Sequence, residues 1–405
     1  MPSSKSEPKS EAVASKMSLP PLSLYIHVPW CVRKCPYCDF NSHKAEEHIP
    51  EAEYVQALLE DLEADLFYVQ DREIQTIFIG GGTPSLLSVE AYKNLLAGLQ
   101  EKVTFVKDIE ITMEANPGTF EAEKFAGYRK LGINRLSIGV QSFADHQLKH
   151  LGRIHDGQQA VAAIKMAKTA GFDNFNIDLM HGLPDQSEEQ ALADIQQAID
   201  LGPTHMSWYQ LTIEPNTEFF KRPPVLPEDE TLWDIQEAGQ ELLAKHGFVQ
   251  YEVSAYAQAG KQATHNLNYW QFGDYLGIGA GAHGKVTDLV NQPESLTASP
   301  VLRTWKTRAP KDFLIAAIND SKSFLAGKES IQNEDLGLEF LMNALRLQQG
   351  FDLRLFEQRT GYPLDTIAKG IQAAIDKGLL TRSDDQIKTT AKGSLFLNEI
   401  LALFM

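Results

Sequence analysis

Short apolar runs alternate with longer stretches of helical spacing through the first half of the chain. "LSLYIHV" (22–28), "IQTIFIG" (74–80), "DIEITME" (108–114), "RLSIGV" (135–140), "NFNIDLM" (174–180) and "HMSWYQLTI" (205–213) predict six strands. Between them, residues 53–69, 88–100, 120–131, 157–170 and 187–200 carry apolar side chains at helical intervals and predict five helices. Strands alternating with helices of this length predict parallel βαβ units, and so an α/β fold closed as an open sheet or a partial (β/α)6 barrel. In such folds the chemistry gathers at the C-terminal ends of the strands.

The alternation stops near Val286. "NQPESLTASP" (291–300) predicts a loop, and residues 287–328 are expected to form a linker or insertion. The basic stretch "RTWKTRAPK" (303–311) predicts a solvated face. Beyond it, helical spacing covers 333–347, 352–360 and 364–378. "LLTRSDDQIKTT" then predicts a hairpin with Ser383, Asp384 and Asp385 at its turn, followed by a last helix. Residues 329–405 therefore predict a mainly helical, winged-helix-like domain after a barrel domain over 21–286. Residues 1–20 are polar and predict a disordered tail.

Charge narrows the function. The chain holds 54 Asp and Glu against 37 Lys and Arg, a formal net charge of −17. That balance argues against nucleic acid as a partner. The winged-helix-like region shares it, with 8 Lys or Arg against 11 Asp or Glu over 329–405, so an intramolecular or protein-partner role is expected there. No apolar run is long enough for a membrane span, and the first residues lack the apolar core of a signal peptide. The expected compartment is the cytoplasm, where clustered cysteines serve as metal ligands more often than as disulfides.

Cys31, Cys35 and Cys38 are the only three cysteines of the 405 residues, and they fall in "CVRKCPYCDF" (31–40). Structural zinc takes four protein ligands, usually from paired C-x2-C units, and here His27, Asp39 or His43 would have to complete the set. A [4Fe–4S] cluster bound through three irons needs no fourth protein ligand and leaves one iron open to a substrate or cofactor. The other distinctive residues stand at the ends of successive predicted strands: "GGGTPS" (80–85), Glu114, Gln141, Asp178, and Tyr209 with Gln210. Glycines admit close approach of backbone to a ligand, and the carboxylates can accept from ribose hydroxyls or an amine.

C-x3-C-x2-C followed by an aromatic-acid pair resembles the signature of the radical S-adenosylmethionine (SAM) enzymes. "PPLSLYIHVPWCVRKCPYCDFNSH", "TIFIGGGTPSLL", "ITMEANPGT", "RLSIGVQSF", "LGRIHD", "NIDLMHGLPDQ", "SWYQLTIEPNT" and "HNLNYW" together resemble its coproporphyrinogen dehydrogenase-like branch, and within it the haem chaperones. The resemblance implies a partial radical SAM barrel whose [4Fe–4S] cluster binds SAM and reduces it to a deoxyadenosyl radical. It implies that Tyr25, Gly81 and Glu114 contact the cluster-bound SAM. Tyr37, Gly82, Thr83, Gln141, Arg153 and Asp178 match the contacts of a second SAM in the dehydrogenase.

Two departures argue against that dehydrogenase. Its further cysteine is replaced here by Phe40, and its longer N-terminal segment has no counterpart in the twenty-four residues before Tyr25. "HNLNYW" (265–270) matches the H-N-x-x-Y-W motif of the haem chaperones and makes His265 a candidate haem ligand, expected on a reachable surface. His283, in "GIGAGAHG" (277–284), is a second candidate. The expected function is to bind haem and transfer it to acceptor haemoproteins, respiratory enzymes among them. Radical oxidative decarboxylation of coproporphyrinogen III is the alternative. One chain's sequence is compatible with a monomer and with a dimer.

Overall fold

Six parallel strands form where the apolar runs lie: β1 (Leu22–Val28), β2 (Ile74–Gly81), β3 (Phe105–Ala115), β4 (Arg135–Gln141), β5 (Phe175–His181) and β6 (His205–Gln210). The computed structural model describes residues 17–46, 48–117, 122–291, 298–319 and 323–405. The six strands pair in chain order, each parallel to the next. Their near-continuous burial, seen in β1 and β5, is that of a sheet covered on both faces. Helices α1 (Glu51–Asp65), α2 (Val89–Lys102), α3 (Ala122–Lys130), α4 (Gly157–Thr169) and α5 (Glu188–Leu201) supply the crossovers. Apolar side chains of these helices share one core with those of the strands.

Two of the helices carry full capping boxes. Asp156 and Gln159 start α4, and Ser187 and Gln190 start α5. In each box, side chains satisfy amide donors that a helix start leaves open. Fixed starts fix where each preceding loop leaves its strand, and those loops carry the site.

The sheet does not end at six strands. At one edge, β7 (Val249–Glu252) and β8 (Ala255–Ala257) add antiparallel beyond β6. At the other, β9 (Asp274–Ile278) runs parallel to β1, and β10 (His283–Thr287), β11 (Ala298–Lys306) and β12 (Leu325–Gln332) continue antiparallel. The result is a twelve-stranded sheet among the described residues.

Residues 287–328, read as a linker, thus contain β11, a helix at Pro310–Ile318 and the start of β12. Most of the expected loop at 291–300 lies outside the described residues, and its end at 298–300 is strand. The reason the alternation misled is Lys306. It stands at an inward position, 1% exposed, with Nζ 2.6 Å from Asp61 and 2.7 Å from Asp65 on α1. The basic stretch is therefore not one solvated face, although Arg308 and Lys311 within it are exposed.

Helices α6 (Leu336–Ala344), α7 (Leu353–Thr360) and α8 (Asp365–Asp376) pack with a small sheet of β13 (Phe351–Asp352), β15 (Gln386–Thr389) and β14 (Leu380–Ser383), in that spatial order. Phe340, Phe351, Phe356 and Ile387 centre a second core there. Asp384 takes a left-handed φ of 50° at the expected hairpin turn. The first sixteen residues of the expected tail lie outside the described residues. From Met17 the chain is not a loose tail. Met17 is 8% exposed within the second core, and the Ser18 amide donates to the Gln358 carbonyl at 3.0 Å. Among the described residues no helix is long and apolar enough to cross a membrane.

Candidate cofactor site

The parallel strands end on one side of the sheet, and the residues after them line a cavity of about 360 Å³. Cys31, Cys35 and Cys38 line it, as do Tyr37, Gly81, Gly82, Thr83, Glu114, Gln141, Arg153 and Asp178. Of the residues singled out from sequence, Tyr25 lies just beyond, in an adjoining cavity of about 520 Å³ that shares Phe40, Gly81, Glu114 and Trp270 as its wall. Tyr209 is in the first cavity, whereas Gln210 points away and is exposed.

Local geometry explains the glycines. Gly81 has a φ of 113°, and a Cβ there would sit 2.6 Å from the His27 ring. A Cβ on Gly82 would sit 2.5 Å from the Trp30 carbonyl oxygen. The glycine loop therefore lies directly against the chain that enters the cysteine loop, and the Gly82 and Thr83 amides donate to Val28 and Trp30 at 2.7 Å each. Only glycine permits that contact.

Arg153 ties the cysteine loop to the strand ends. Its Nη1 donates to Cys35 Sγ at 3.5 Å and to the Tyr37 hydroxyl at 3.4 Å. Its Nη2 donates to the Asn116 side chain at 3.1 Å and the Gly139 carbonyl at 2.7 Å. Burial opposes its charge, but Tyr37 and Cys35 hold its pKa above the usual value. Burial pushes the Cys31 and Cys38 thiols up.

Two carboxyls, Glu114 on β3 and Asp178 on β5, line the same cavity, with β4 between their strands. Burial, then the charge of Asp178, raises Glu114 to about 8, while the Gly81 amide donates to it at 3.0 Å. Burial also raises Asp178, offset in part by Ser137 and Asn176, which donate to it at 2.9 and 2.8 Å. The Asn176 carboxamide oxygen accepts from His205 at 2.6 Å, and His205 accepts in turn from Tyr251 at 2.8 Å. Gln141 holds a left-handed φ of 70° and accepts from the Tyr209 hydroxyl at 3.0 Å. Such backbone strain is kept where a side chain must be aimed.

Asn116, Ser137, Asn176, Ser207 and Asn266 belong to this network or line the cavity and were not anticipated. A signal for Asn176 exists: it is a polar residue two positions before Asp178, on the same face of a mostly apolar strand.

His265 corrects an expectation. It is 1% exposed rather than reachable, and it lines neither cavity. Its Nδ1 lies 2.7 Å from Thr76 Oγ1 and its Nε2 lies 2.8 Å from the Tyr269 hydroxyl. Glu110 caps its backbone amide at 3.1 Å. The motif instead presents Asn266 and Trp270 to the first cavity, and Tyr269 and Trp270 to the second.

The residues fit an iron–sulfur cluster with SAM. Among the described residues no group of three or more His, Cys, Asp or Glu is placed to hold a single metal ion. A cubane takes its thiolates at separate corners, so convergence on one point is not required. Residues 25–198 match the radical SAM superfamily model, and 331–396 match the HemN C-terminal domain model. Over 96% of this chain and 99% of the relative, the protein is 53% identical to "Heme chaperone HemW" of Escherichia coli.

The chain belongs to the HemW family of radical SAM proteins.

Membership implies a [4Fe–4S] cluster and SAM as cofactors. The HemW of Bacillus subtilis is 33% identical over 95% of this chain and 99% of its own. The solved structure of coproporphyrinogen III oxidase (HemN) from Escherichia coli matches with a TM-score of 0.79 over 97% of this chain and 92% of that one. At 22% identity that likeness establishes the fold: the same partial barrel and C-terminal domain are built here.

Proposed function

We propose that the protein is a haem chaperone: it binds haem beside a SAM-liganded [4Fe–4S] cluster and hands it to acceptor haemoproteins, respiratory enzymes among them, in the cytoplasm. The observation that carries this reading is the full-length 53% identity to a relative named for that role. The geometry supports it, because a second, aromatic-lined cavity shares a wall with the cofactor cavity.

Cys31, Cys35 and Cys38 would hold three irons, and the SAM-bound cluster would supply one-electron reduction of SAM. The chain's own residues do the rest. Arg153 fixes the cysteine loop through Cys35 and Tyr37. Glu114 and Asp178 offer acceptors to ribose hydroxyls and the methionine amine, and Gln141 is aimed by Tyr209. Tyr25, Tyr37, Thr83, Glu114, Gln141, Arg153 and Asp178, with the backbone at Gly81 and Gly82, are the proposed SAM contacts. The rival dehydrogenase reading loses ground at Phe40, which is 59% exposed at the shared wall and offers no thiol there.

The test is anaerobic. Reconstituted protein is titrated with haem, then mixed with an apo-haemoprotein whose regain of activity reports transfer. The same preparation receives SAM, reductant and coproporphyrinogen III. Stoichiometric haem binding and transfer without protoporphyrinogen supports the chaperone; decarboxylated product without haem binding overturns it.

A further inference from the structure

We propose that haem sits in the 520 Å³ cavity, with the His283 imidazole as its iron ligand and Arg303 and Arg308 as the cations that receive its propionates. This rests on the chaperone reading and moves the ligand away from the motif histidine.

Iron needs an imidazole nitrogen with a free lone pair. His265 has both ring nitrogens hydrogen-bonded inside the core. His27, which does line the cavity, is bound at Nδ1 to Tyr25 at 3.0 Å and at Nε2 to the Asn41 carbonyl at 2.9 Å. His283 also lines the cavity, is exposed, and among the described residues has neither ring nitrogen hydrogen-bonded. Partial burial and the nearby Arg308 and Arg303 charges lower its pKa, which favours the neutral, ligating form.

Register places the cations on the same side. On β10 and β11, His283 pairs with Trp305 and Lys285 pairs with Arg303. Residues two apart on a strand share a face, so His283, Lys285, Trp305 and Arg303 form one patch. Lys285 is committed to Asp274 at 3.0 Å. Arg303 shares its charge with Glu339, and Arg308 is exposed with no ion-pair partner among the described residues. In a chain of net charge −17, two arginines on the rim of an aromatic cavity are a local exception. They suit a flat apolar ligand with two carboxylates, and guanidinium forks receive carboxylates well.

Tyr269, Trp270 and Tyr275 supply apolar walls, and Phe40 stands exposed at the mouth. A macrocycle would cover Phe40. A ligand held by one exposed histidine and rim arginines can also leave, as delivery requires.

The experiment titrates ferric haem into full-length protein under anaerobic conditions and follows the Soret band and the electron paramagnetic resonance of the iron. His283→Ala is expected to lose the histidine-ligated signature and bind ~10-fold more weakly, with the signature restored by added imidazole. His283→Met is expected to shift the spectrum toward thioether ligation, which a fold defect would not do. Arg308→Ala is expected to weaken binding by ~5–10-fold with the ligation unchanged. His265→Ala is expected to keep the histidine-ligated signature. A wild-type spectrum in both His283 variants overturns the seat while leaving the chaperone reading intact. Absence of stoichiometric haem binding by the wild type overturns the chaperone reading itself.

Discussion

The Nε2 of His265 lies 2.8 Å from the hydroxyl of Tyr269, one helical turn further along Thr264–Trp270. The hydroxyl of Thr76 donates to Ser23 at 2.8 Å, which leaves Thr76 Oγ1 to accept from His265 Nδ1. Tyr269 then donates to Nε2. His265 thus anchors the tyrosine that lines the second cavity to the middle of β2. His265→Ala leaves the Tyr269 and Thr76 hydroxyls without this partner in the core. The expected loss is about 1–3 kcal/mol of folding stability, read by denaturant unfolding. A variant as stable as the wild type would show that water replaces the ring and that the anchor contributes nothing.

Acid should weaken the fold through this histidine. Burial, then the charge of Arg135, lowers the folded-state pKa of His265 to about 3. The unfolded value lies near 6.5. Between these values the unfolded chain binds a proton that the folded chain does not, so stability rises with pH across that window and is lost on acidification. Burial lowers His27, His155 and His181 to about 4 as well, and they add slope of the same sign. His265→Gln should reduce the slope of stability against pH between 4 and 6 by about one proton, or about 1.4 kcal/mol per pH unit. Equal slopes in the two proteins would contradict a neutral buried His265.

Much of this arrangement was legible because period and punctuation agree. All six parallel strands lie where the apolar runs predicted them, and Glu114 and Gln141 near their strand ends meet Asp178 in the middle of β5 because the parallel strands stand side by side in register. The placement of His265 was not legible. A motif reports which residues occur together, not which way each points, and a buried histidine with two local partners has the same sequence as an exposed one. The strands at 298–306 and 325–332 escaped for a related reason. Their charged residues are matched by partners far away in sequence, as Lys306 is by Asp61, 245 positions distant. Single-strand patterning cannot see a partner across the fold.

That same triad is a stability test. Asp61 also accepts from the Gly279 amide at 2.9 Å. Burial raises Asp61 to about 7, while Asp61 and Asp65 hold Lys306 above its usual pKa despite burial. The lysine ammonium thus lies between the two carboxyls and donates to both. Lys306→Met removes the only cation bonded to Asp61 and Asp65 among the described residues. The expected cost is about 3–5 kcal/mol, because a buried carboxylate is left unpaired. Adding Asp61→Asn should recover part of it. A single variant of wild-type stability would mean that both carboxyls are neutral in the folded protein.

Arg153 should act on the cofactors in two separable ways. Its guanidinium forks between Cys35 and Tyr37 on one side and Asn116 and Gly139 on the other. Arg153→Lys keeps a charge but cannot make the planar fork, and Arg153→Gln loses both. If the fork positions the SAM cavity, both variants should bind SAM ~10-fold more weakly, measured by equilibrium dialysis of reconstituted protein. If the charge also acts on the Cys35 thiolate, only Arg153→Gln should shift the cluster's reduction potential. The shift should be negative, since a nearby cation favours the reduced, more negative cluster. Spectroscopic redox titration reads it without any turnover. Unchanged potential and unchanged SAM binding, with only a lower melting temperature, would reduce Arg153 to a staple between the cysteine loop and the strand ends.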